Sequence, residues 1–364
     1  MAFSFFKKSK STGPSGPNYQ LLTIKQVIQE TTDAVQIVFE QPGKPLIYSS
    51  GQFLTLIFTI EGKEVRRAYS LCSSPALGEN PAIAVKRVSG GLVSNHVVSN
   101  LKAGEQVQVM DPAGHFTLDL QPSAKRHYML FSGGSGITPM LSLIKSILAT
   151  EPGSICSLVY CNRDDQSIIF KDQLEILRTK YPEHFNLFHV LEQPSNNIKA
   201  FTGLLNADIL NQILASFTAS ADLVYMMCGP EGLMNKVTEL LTARGIPADA
   251  IRHESFTTTA KVSNAAGAES GDSKAHDVLI RYDSQEFKVR VEPGETILAT
   301  ALAQGIDLPY SCQSGLCTAC RGKALSGKVK LDEEDGLSKS EREEGYILTC
   351  VGHPVSDDVV IEIG

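Results

Sequence analysis

The apolar residues of the chain follow a different period in each of two large regions. In residues 19–120, short β-branched and apolar runs alternate with Gly and Pro, as in QIVFE, FLTLIFTI, AIAVKRV and EQVQVMD. Strands at this spacing predict an antiparallel β-barrel. In residues 126–256, strand-like runs such as HYMLFSG and SLVYC alternate with helical runs such as PMLSLIKSILA and FKDQLEILRTKY. This alternation predicts an α/β domain with a parallel sheet.

A third, smaller region follows a segment that has no hydrophobic periodicity. Residues 257–276 are rich in Ala, Ser, Gly and Thr, and about 20 flexible residues of this kind have an r.m.s. span of about 25 Å. Beyond them, DVLIRYD and EFKVRVE predict two strands, and Thr296 as N-cap with Gly305 after the C-terminus predicts a short helix. The predicted organisation is therefore a flexible N-terminus (1–18), a barrel (19–122), an α/β domain (123–256), a linker (257–276) and a tail domain (277–364).

Four cysteines of the tail domain have the spacing of an iron-sulfur site. Cys312, Cys317 and Cys320 form C-x4-C-x2-C, and Cys350 follows at a distance, which is the plant-type pattern for a 2Fe-2S cluster. Four thiolates complete the tetrahedra of two irons bridged by two sulfides. A zinc site is the alternative, but zinc sites usually pair C-x2-C with a second short-spaced pair, which Cys350 lacks. The sequence predicts these cysteines as cluster ligands.

Length and composition place the protein among multidomain globular proteins. A chain of 364 residues with 42% hydrophobic residues is expected to form two or three domains. No stretch approaches the roughly 18 uninterrupted apolar residues of a membrane-spanning helix, and the N-terminus lacks the apolar core of a signal peptide. The remaining cysteines have no disulfide-framework spacing, so a cytoplasmic location is predicted; they are Cys72, Cys156, Cys161 and Cys228.

The excess negative charge lies entirely in the tail domain. Residues 277–364 contain 16 acidic and 9 basic side chains, whereas residues 1–276 contain 24 of each. An oxidised cluster with four thiolates adds about two further negative charges. This asymmetry predicts a redox partner protein that docks a basic surface on the tail domain, and it does not favour nucleic acid. The alternative is that the acidity serves only solubility.

Two strand ends of the α/β region predict a nucleotide site. SGGSGITP at residues 132–139 follows one strand and opens a helix, so that Gly134 and Gly136 let the backbone approach a pyrophosphate at the helix N-terminus. Alone, such a loop could be a plain turn. A second strand end places Cys228, Gly229 and Pro230 at the same carboxyl edge of the sheet, where α/β proteins bind ligands. A buried structural role is the alternative for Cys228.

The barrel region contains a second pair of candidate ligand motifs. Strand periodicity places Arg67 and Tyr69 on one face and Ser70 on the other. An arginine beside an aromatic ring suits a ligand with phosphates and a flat ring system. GGLVS at residues 90–94 leads into a helical stretch and forms a second candidate phosphate cradle. Each motif could also be ordinary barrel surface.

Together these motifs resemble the ferredoxin-NADP reductase superfamily. The matching elements are R-x-Y-S at residues 67–70, VKRV at 85–88, G-x-V-S at 91–94, G-x-G-x-x-P at 134–139, CGP at 228–230 and an E-x-aromatic element at 254–256. The tail resembles plant-type ferredoxin, which implies a β-grasp domain. The order, reductase first and ferredoxin last, is similar to that of the reductases of phenylacetyl-CoA oxygenase and phthalate dioxygenase. The resemblance covers residues 19–364.

The resemblance implies FAD rather than FMN and a set of site residues. It implies that Tyr69 stacks on the isoalloxazine, that Ser70 lies near its N5 and that Arg67 holds flavin phosphate. It places Cys228 beside the nicotinamide ring and Glu254 at the flavin, and these two with Ser70 are the predicted catalytic residues. The remaining implied contacts to FAD or nucleotide are Ala68, Lys86, Val88, Gly91, Leu92, Val93, Ser94, Gly134, Gly136, Thr138, Pro139, Asn162, Gly229, Pro230 and Phe256.

The choice of nucleotide depends on the residues after the second strand of the α/β region. Asn162 and Arg163 lie where the adenosine ribose is expected, Arg163 being 27 residues beyond Gly136. A guanidinium there pairs with the 2′-phosphate of NADPH, whereas Asp164 and Asp165 repel it. The sequence favours NADPH, with NADH possible and with Arg163 as a plain surface charge as the alternative.

The function predicted from these elements is an electron relay. NAD(P)H reduces FAD, the 2Fe-2S cluster takes the electrons singly, and a partner oxygenase, hydroxylase or desaturase receives them. One alternative is a diaphorase that reduces small acceptors. The other is a tail domain that serves as a redox-sensing or interaction module.

Overall fold

The computed structural model describes most of the chain beyond its N-terminus. The described residues are 19–363 except 42, 44, 196–197, 217–221, 257–273, 314, 316, 335 and 338. The predicted flexible N-terminus (1–18) and nearly all of the predicted linker lie outside them. No helix within the described part of the chain is long and apolar enough to cross a membrane.

The first domain is an antiparallel barrel with the strand order β4-β3-β6-β1-β2-β5. Alternate side chains point inward, and Leu54 and Leu56 of β3 are fully buried in its core. A bridge between Leu71 and Ile83 connects the two ends of the sheet, which closes it. The predicted barrel is confirmed. Its elements are β1 (Tyr19–Thr31), β2 (Ala34–Phe39), β3 (Phe53–Ile60), β4 (Lys63–Ser70), β5 (Ala82–Lys86), α1 (Leu92–Asn100) and β6 (Gln106–Met110).

The second domain is the predicted α/β domain, and its sheet is parallel throughout with the order β10-β9-β8-β7-β11-β12. Every residue of β7 is buried, because helices cover both faces of the sheet. Its elements are β7 (His127–Gly133), α2 (Ile137–Thr150), β8 (Ile155–Asn162), α3 (Lys171–Lys180), β9 (Phe185–Leu191), β10 (Phe201–Thr202), α4 (Ala207–Ala215), β11 (Leu223–Cys228), α5 (Glu231–Thr242) and β12 (Ile251–Glu254).

The strand order of this sheet reverses at β7. The chain proceeds from β7 through β8 and β9 to one edge, then returns to place β11 on the other side of β7. The carboxyl ends of β7 and β11 therefore form the topological switch point, where open α/β sheets bind their ligands.

The tail domain is a β-grasp fold with the strand order β14-β13-β19-β15-β17. Thr296 accepts a hydrogen bond from the N–H of Ala299 at 3.2 Å, and Gly305 has a φ of +78° just past the helix end. The predicted helix is therefore present. The elements are β13 (His276–Tyr282), β14 (Gln285–Val291), α6 (Ile297–Ala303), β15 (Arg321–Ser326), β16 (Val329–Leu331), α7 (Lys339–Glu343), β17 (Tyr346–Leu348), β18 (Gly352–Pro354) and β19 (Val359–Ile363).

Candidate functional site

The register of the parallel sheet places three chemically distinct side chains side by side. Ser132 at the end of β7 pairs with Cys228 of β11, and Cys228 pairs with Glu254 of β12. All three lie at the carboxyl edge of the sheet, at the switch point. Burial and the neighbouring Glu254 raise the pKa of the Cys228 thiol, which therefore stays protonated at neutral pH.

The barrel adds one residue, Ser70, to the side chains at the edge of the sheet. Ser70 at the end of β4 donates a hydrogen bond to Glu254 Oε2 at 3.4 Å. Burial raises the pKa of Glu254 to about 8, although this hydrogen bond acts in the opposite direction. A carboxyl with that pKa holds a proton at neutral pH and can release it. The structure thus brings together Ser70, Cys228 and Glu254, the three residues predicted as catalytic.

The glycine loop packs directly on the strand end that carries Cys228. A Cβ at Gly136 would lie 2.0 Å from the Cys228 carbonyl oxygen, so only glycine is accommodated there without a shift of the backbone. The Tyr160 hydroxyl donates a hydrogen bond to the carbonyl of Gly134 at 2.9 Å. No side chain of the described residues caps the N-terminus of α2, and the dipole of the helix favours an anionic ligand at the glycine loop. The Ile137 amide itself already donates to the carbonyl of Gly134. This cradle fits a nucleotide pyrophosphate.

The other members of the predicted nucleotide site surround this loop. The Thr138 hydroxyl donates to the carbonyl of Ser135 at 2.8 Å, which joins the first turn of α2 to the glycine loop. A Cβ at Gly133 would lie 2.8 Å from Pro230 Cδ, and one at Gly229 would lie 2.9 Å from Gly133 N. The two predicted segments, 132–139 and 228–230, are therefore in contact.

The end of β8 carries the residues predicted to choose between the two nucleotides. Asn162 is buried, whereas the Arg163 side chain is 68% exposed and its Nε donates to Asp164 at 3.2 Å. Asp164 also caps the following short 3-10 helix, and Asp165 accepts the N–H of Ser195 at 3.1 Å. Both carboxylates are thus used in the local structure, while most of the Arg163 side chain is exposed to solvent.

A second cradle lies at the start of α1 in the barrel domain. A Cβ at Gly91 would lie 2.7 Å from Ser94 Oγ, and Ser94 accepts the N–H of Val88 at 3.1 Å. No side chain caps α1, so its first amides can hold a second phosphate group. Lys86 Nζ would lie 3.8 Å from a Cβ at Gly134, so the end of the strand that precedes this cradle lies beside the glycine loop.

The side chains predicted to contact the flavin alternate along β4. Arg67 is exposed, Tyr69 is partly buried and Ser70 is buried, as the strand period requires. Arg67 Nη1 donates to the carbonyl of Arg66 at 2.7 Å. The rest of the predicted set shares no single environment: Ala68 is partly buried, Val93 lies in the barrel core, and Val88, Leu92 and Phe256 are exposed.

The four cysteine thiols of the tail domain form a chain of contacts. Cys312 hydrogen-bonds Cys317 and Cys350, and Cys350 also hydrogen-bonds Cys320. These contacts run from one thiol to the next. No group of three or more His, Cys, Asp or Glu side chains in the described residues is arranged to hold a metal ion as it stands. A chain of four thiols fits a cluster whose ligands are distributed over two irons.

The backbone around the cysteines is tight, and hydroxyl groups remain beside it. A Cβ at Gly315, whose φ is +75°, would lie 2.7 Å from Glu333 Cβ. The Cys320 carbonyl accepts both the N–H and the hydroxyl of Thr349 at 3.1 Å. The hydroxyl oxygens of Ser311 and Thr318 are buried and have no hydrogen-bond partner among the described residues. Such hydroxyls can donate to the sulfurs of a cluster, which supports the fit of the loop to 2Fe-2S.

A cavity of about 760 Å³ lies between the carboxyl edge of the parallel sheet and the cysteine loop. Glu254 and Ser255 line one side, and Cys317 and Thr318 line another. His115 of the barrel also lines it and contacts Arg321 of the tail at 2.8 Å. Glu254, one of the three candidate catalytic residues, therefore faces the same cavity as the cysteine loop.

Some residues of this region have no signal in the sequence. Tyr160 positions the glycine loop, but this is visible only once β8 is known to lie beside β7. Arg66 of the barrel donates a hydrogen bond to Asp307 of the tail domain at 3.3 Å, and the sequence prediction did not include this contact. The one available signal is strand alternation, which turns Arg66 to the face opposite Arg67.

The chain matches three family models in succession. An oxidoreductase FAD-binding domain covers residues 20–118, an oxidoreductase NAD-binding domain covers 130–239, and a 2Fe-2S iron-sulfur cluster binding domain covers 280–355. The cofactors are therefore FAD, a nicotinamide nucleotide and a 2Fe-2S cluster.

Two curated relatives match over nearly their full lengths. The ferredoxin reductase component of 3-ketosteroid-9-alpha-monooxygenase from Rhodococcus rhodochrous is 37% identical, over 96% of this chain and 98% of the relative. One of the subunits of 1,2-phenylacetyl-CoA epoxidase from Escherichia coli is 35% identical, over 94% of this chain and 97% of the relative.

Solved structures show the same architecture. A type IV self-sufficient cytochrome P450 monooxygenase matches with a TM-score of 0.68 and 25% identity over 95% of this chain, which spans 41% of that longer protein. Phthalate dioxygenase reductase matches with a TM-score of 0.59 and 24% identity, over 95% of this chain and 98% of the reductase. The order of domains, the cofactor set and the extent of these matches lead to one conclusion: the chain belongs to the family of three-domain flavin and iron-sulfur reductases, in which FAD-binding and NAD-binding domains precede a 2Fe-2S ferredoxin domain.

Proposed function

We propose that this protein is the reductase component of a multicomponent oxygenase. In this proposal it takes a hydride from NAD(P)H and delivers single electrons to the oxygenase. The supporting observation is the cavity that Glu254 and Cys317 both line, because it places the candidate flavin edge and the cysteine loop beside one partly open cavity. Electron transfer weakens steeply with distance, so a relay needs this proximity. The curated relatives named above are likewise reductase components or subunits of oxygen-inserting enzymes.

The cofactors supply the redox chemistry, and the chain supplies orientation and charge. Bound FAD accepts a hydride and releases electrons singly, and the cluster carries one electron at a time. We assign the Gly91 cradle and Arg67 to the flavin phosphates and the Gly136 cradle to the nucleotide. Glu254 holds a proton near the flavin, and the neutral Cys228 thiol borders the nicotinamide. The four cysteines are assigned to the cluster.

The partner is proposed to dock a basic surface on the tail domain. The acidic side chains of Asp332, Glu333 and Glu334 follow β16, and Glu333 lies against Gly315 of the cysteine loop. A basic partner surface there approaches the cluster closely and is steered by the charge of the domain. An oxygenase is the proposed client, with a hydroxylase or desaturase as related possibilities. The cytoplasm is the proposed location, since its reducing conditions suit the cysteines.

An anaerobic titration tests the relay. Addition of NADPH in small steps should bleach the flavin absorption and then produce the electron paramagnetic resonance signal of a reduced 2Fe-2S cluster in the same sample. Uptake should reach about three electrons per chain, two in the flavin and one in the cluster. Bleaching of the flavin with no cluster signal would contradict the relay. It would instead support a diaphorase, or a tail domain that serves as a redox-sensing module.

Nucleotide preference is tested by Arg163→Ala. We propose NADPH as the donor, because the largely exposed Arg163 side chain carries a guanidinium that can pair with a 2′-phosphate. The substitution should raise the KM for NADPH by about tenfold, the usual effect of losing one charge-assisted contact, and leave the KM for NADH within about twofold. The matched control is Arg178→Ala, which removes another exposed arginine of the same domain. Equal effects on the two nucleotides, or a native preference for NADH, would contradict the assignment.

A further inference from the structure

Arg66 joins the barrel to the tail domain. It belongs to β4, and its side chain is only 5% exposed. Its Nε donates to Glu64 at 2.7 Å, within the same strand, and its Nη2 donates to Asp307 of the tail at 3.3 Å. Its guanidinium carbon lies 4.2 Å from the ring centroid of Tyr310, also in the tail. One buried cation thus holds an acid and an aromatic ring of another domain.

Tyr19 strengthens the same contact from the barrel side. Its hydroxyl donates to the second carboxylate oxygen of Asp307 at 3.0 Å, and its ring centroid lies 5.5 Å from the Arg66 guanidinium carbon. We call Tyr19, Arg66, Asp307 and Tyr310 the Arg66 clamp. A guanidinium between two rings and a carboxylate combines cation-π attraction with a charge-assisted hydrogen bond.

The clamp connects the two candidate redox sites through neighbouring residues. Arg66 directly precedes Arg67, assigned above to flavin phosphate, and Tyr310 stands two residues before the cluster ligand Cys312. A second contact on this interface joins His115 of the barrel to Arg321 and Glu341 of the tail. Two separate contacts fix the orientation of a domain, whereas a single contact leaves it free to rotate.

The clamp differs from an ordinary surface ion pair. Exposed pairs contribute little, because water screens them and long side chains lose entropy. The Arg66 side chain is buried, although that of Asp307 is half exposed. Loss of Asp307 would therefore leave a buried guanidinium whose remaining carboxylate partner among the described residues, Glu64, belongs to the barrel. The clamp therefore contributes to the stability of the docked position, in which the tail domain lies against the barrel.

We propose that the Arg66 clamp holds the tail domain in the position from which the cluster receives electrons, and that its residues are positioning residues for this step. The inference rests on the proposed relay. In the step concerned, one electron leaves reduced FAD and one enters the oxidised cluster, with no bond made or broken. Hydride uptake from the nucleotide and direct reduction of ferricyanide by the flavin do not require the clamp.

Asp307→Arg tests the clamp in the full-length protein with both cofactors bound. This change faces Arg66 with a second cation, and it should slow flavin-to-cluster transfer in stopped-flow measurements by about tenfold or more. The radius of gyration in X-ray scattering should increase. Ferricyanide reduction and the cluster spectrum should remain unchanged. The matched control is Arg281→Ala, which removes an exposed ion pair within the tail domain and should alter none of these.

A second substitution distinguishes the effect of charge repulsion from a general loss of folding. Arg66→Glu, added to Asp307→Arg, restores opposite charges across the interface and should recover most of the transfer rate and the compact scattering profile. Tyr19→Leu provides a variant outside the tail domain, with an intact cysteine loop, and it should slow the same step. Native transfer rates in both Asp307→Arg and Tyr19→Leu would overturn the clamp while leaving the relay in place. Absence of flavin-to-cluster transfer in the native protein would instead refute the proposed function.

Discussion

Cys317→Ser should abolish the 2Fe-2S spectrum and lower NADPH-driven reduction of cytochrome c by about 100-fold or more, because even changes around metal ligands cost up to about 100-fold. A serine hydroxyl is a poor replacement for a thiolate that completes the tetrahedron of an iron. The remaining three thiols lie in contact and cannot satisfy two irons. Ferricyanide reduction should stay within about twofold of native, since the flavin can reduce this acceptor directly.

Cys72→Ser is the matched control for this experiment. Cys72 is buried in the barrel, and Gln36 Nε2 donates to its sulfur at 3.5 Å, a contact that a serine oxygen can also accept. This variant should retain the cluster, cytochrome c reduction and ferricyanide reduction. Loss of the cluster in Cys317→Ser with unchanged cytochrome c reduction would show that electrons bypass the cluster. The relay would then be wrong.

Local sequence patterns predicted those features whose causes are local. The strand periods at 53–60 and 127–133 gave β3 and β7 with their observed ends, because alternating or continuous apolar burial is a property of each strand alone. The cap at Thr296 likewise depends on residues within one turn. The cysteine spacing predicted the contact of four thiols, since the needs of a cluster constrain the loop that binds it.

Features that depend on contacts between distant segments were not predictable in the same way. Ser70 and Glu254 are 184 residues apart, and their hydrogen bond arises from the docking of the barrel on the sheet. Arg66 and Asp307 are separated by 241 residues, and nothing in either local pattern indicates the pairing. A buried cation in a strand does indicate an unseen partner, because buried charges are rarely left alone. The partner can be identified only from the assembled domains.

The close approach of Gly136 to the Cys228 carbonyl also depends on packing between distant segments. A substitution at Gly136 is therefore expected to have a large effect on activity. Gly136→Ala should lower kcat/KM for NADPH by about 100-fold, measured with ferricyanide as acceptor. The new Cβ would lie 2.0 Å from the Cys228 carbonyl oxygen, so the glycine loop must move away from β11. A displacement of about 1 Å in a positioning element can cost about 100-fold in rate. FAD should remain bound, because the barrel is not affected.

Gly232→Ala is the matched control, since Gly232 lies in α5 and a Cβ there meets no atom within 4 Å. It should leave kcat/KM unchanged and raise stability by up to about 1 kcal/mol, as alanine favours the helix. Thermal unfolding of both variants separates a moved loop from an unfolded domain, since overpacking at Gly136 should cost about 1–3 kcal/mol and leave the protein folded. Native kcat/KM in a folded Gly136→Ala variant would show that the nucleotide binds elsewhere. A loss of kcat/KM in Gly136→Ala but not in Gly232→Ala would indicate that hydride transfer takes place where the glycine loop contacts Cys228.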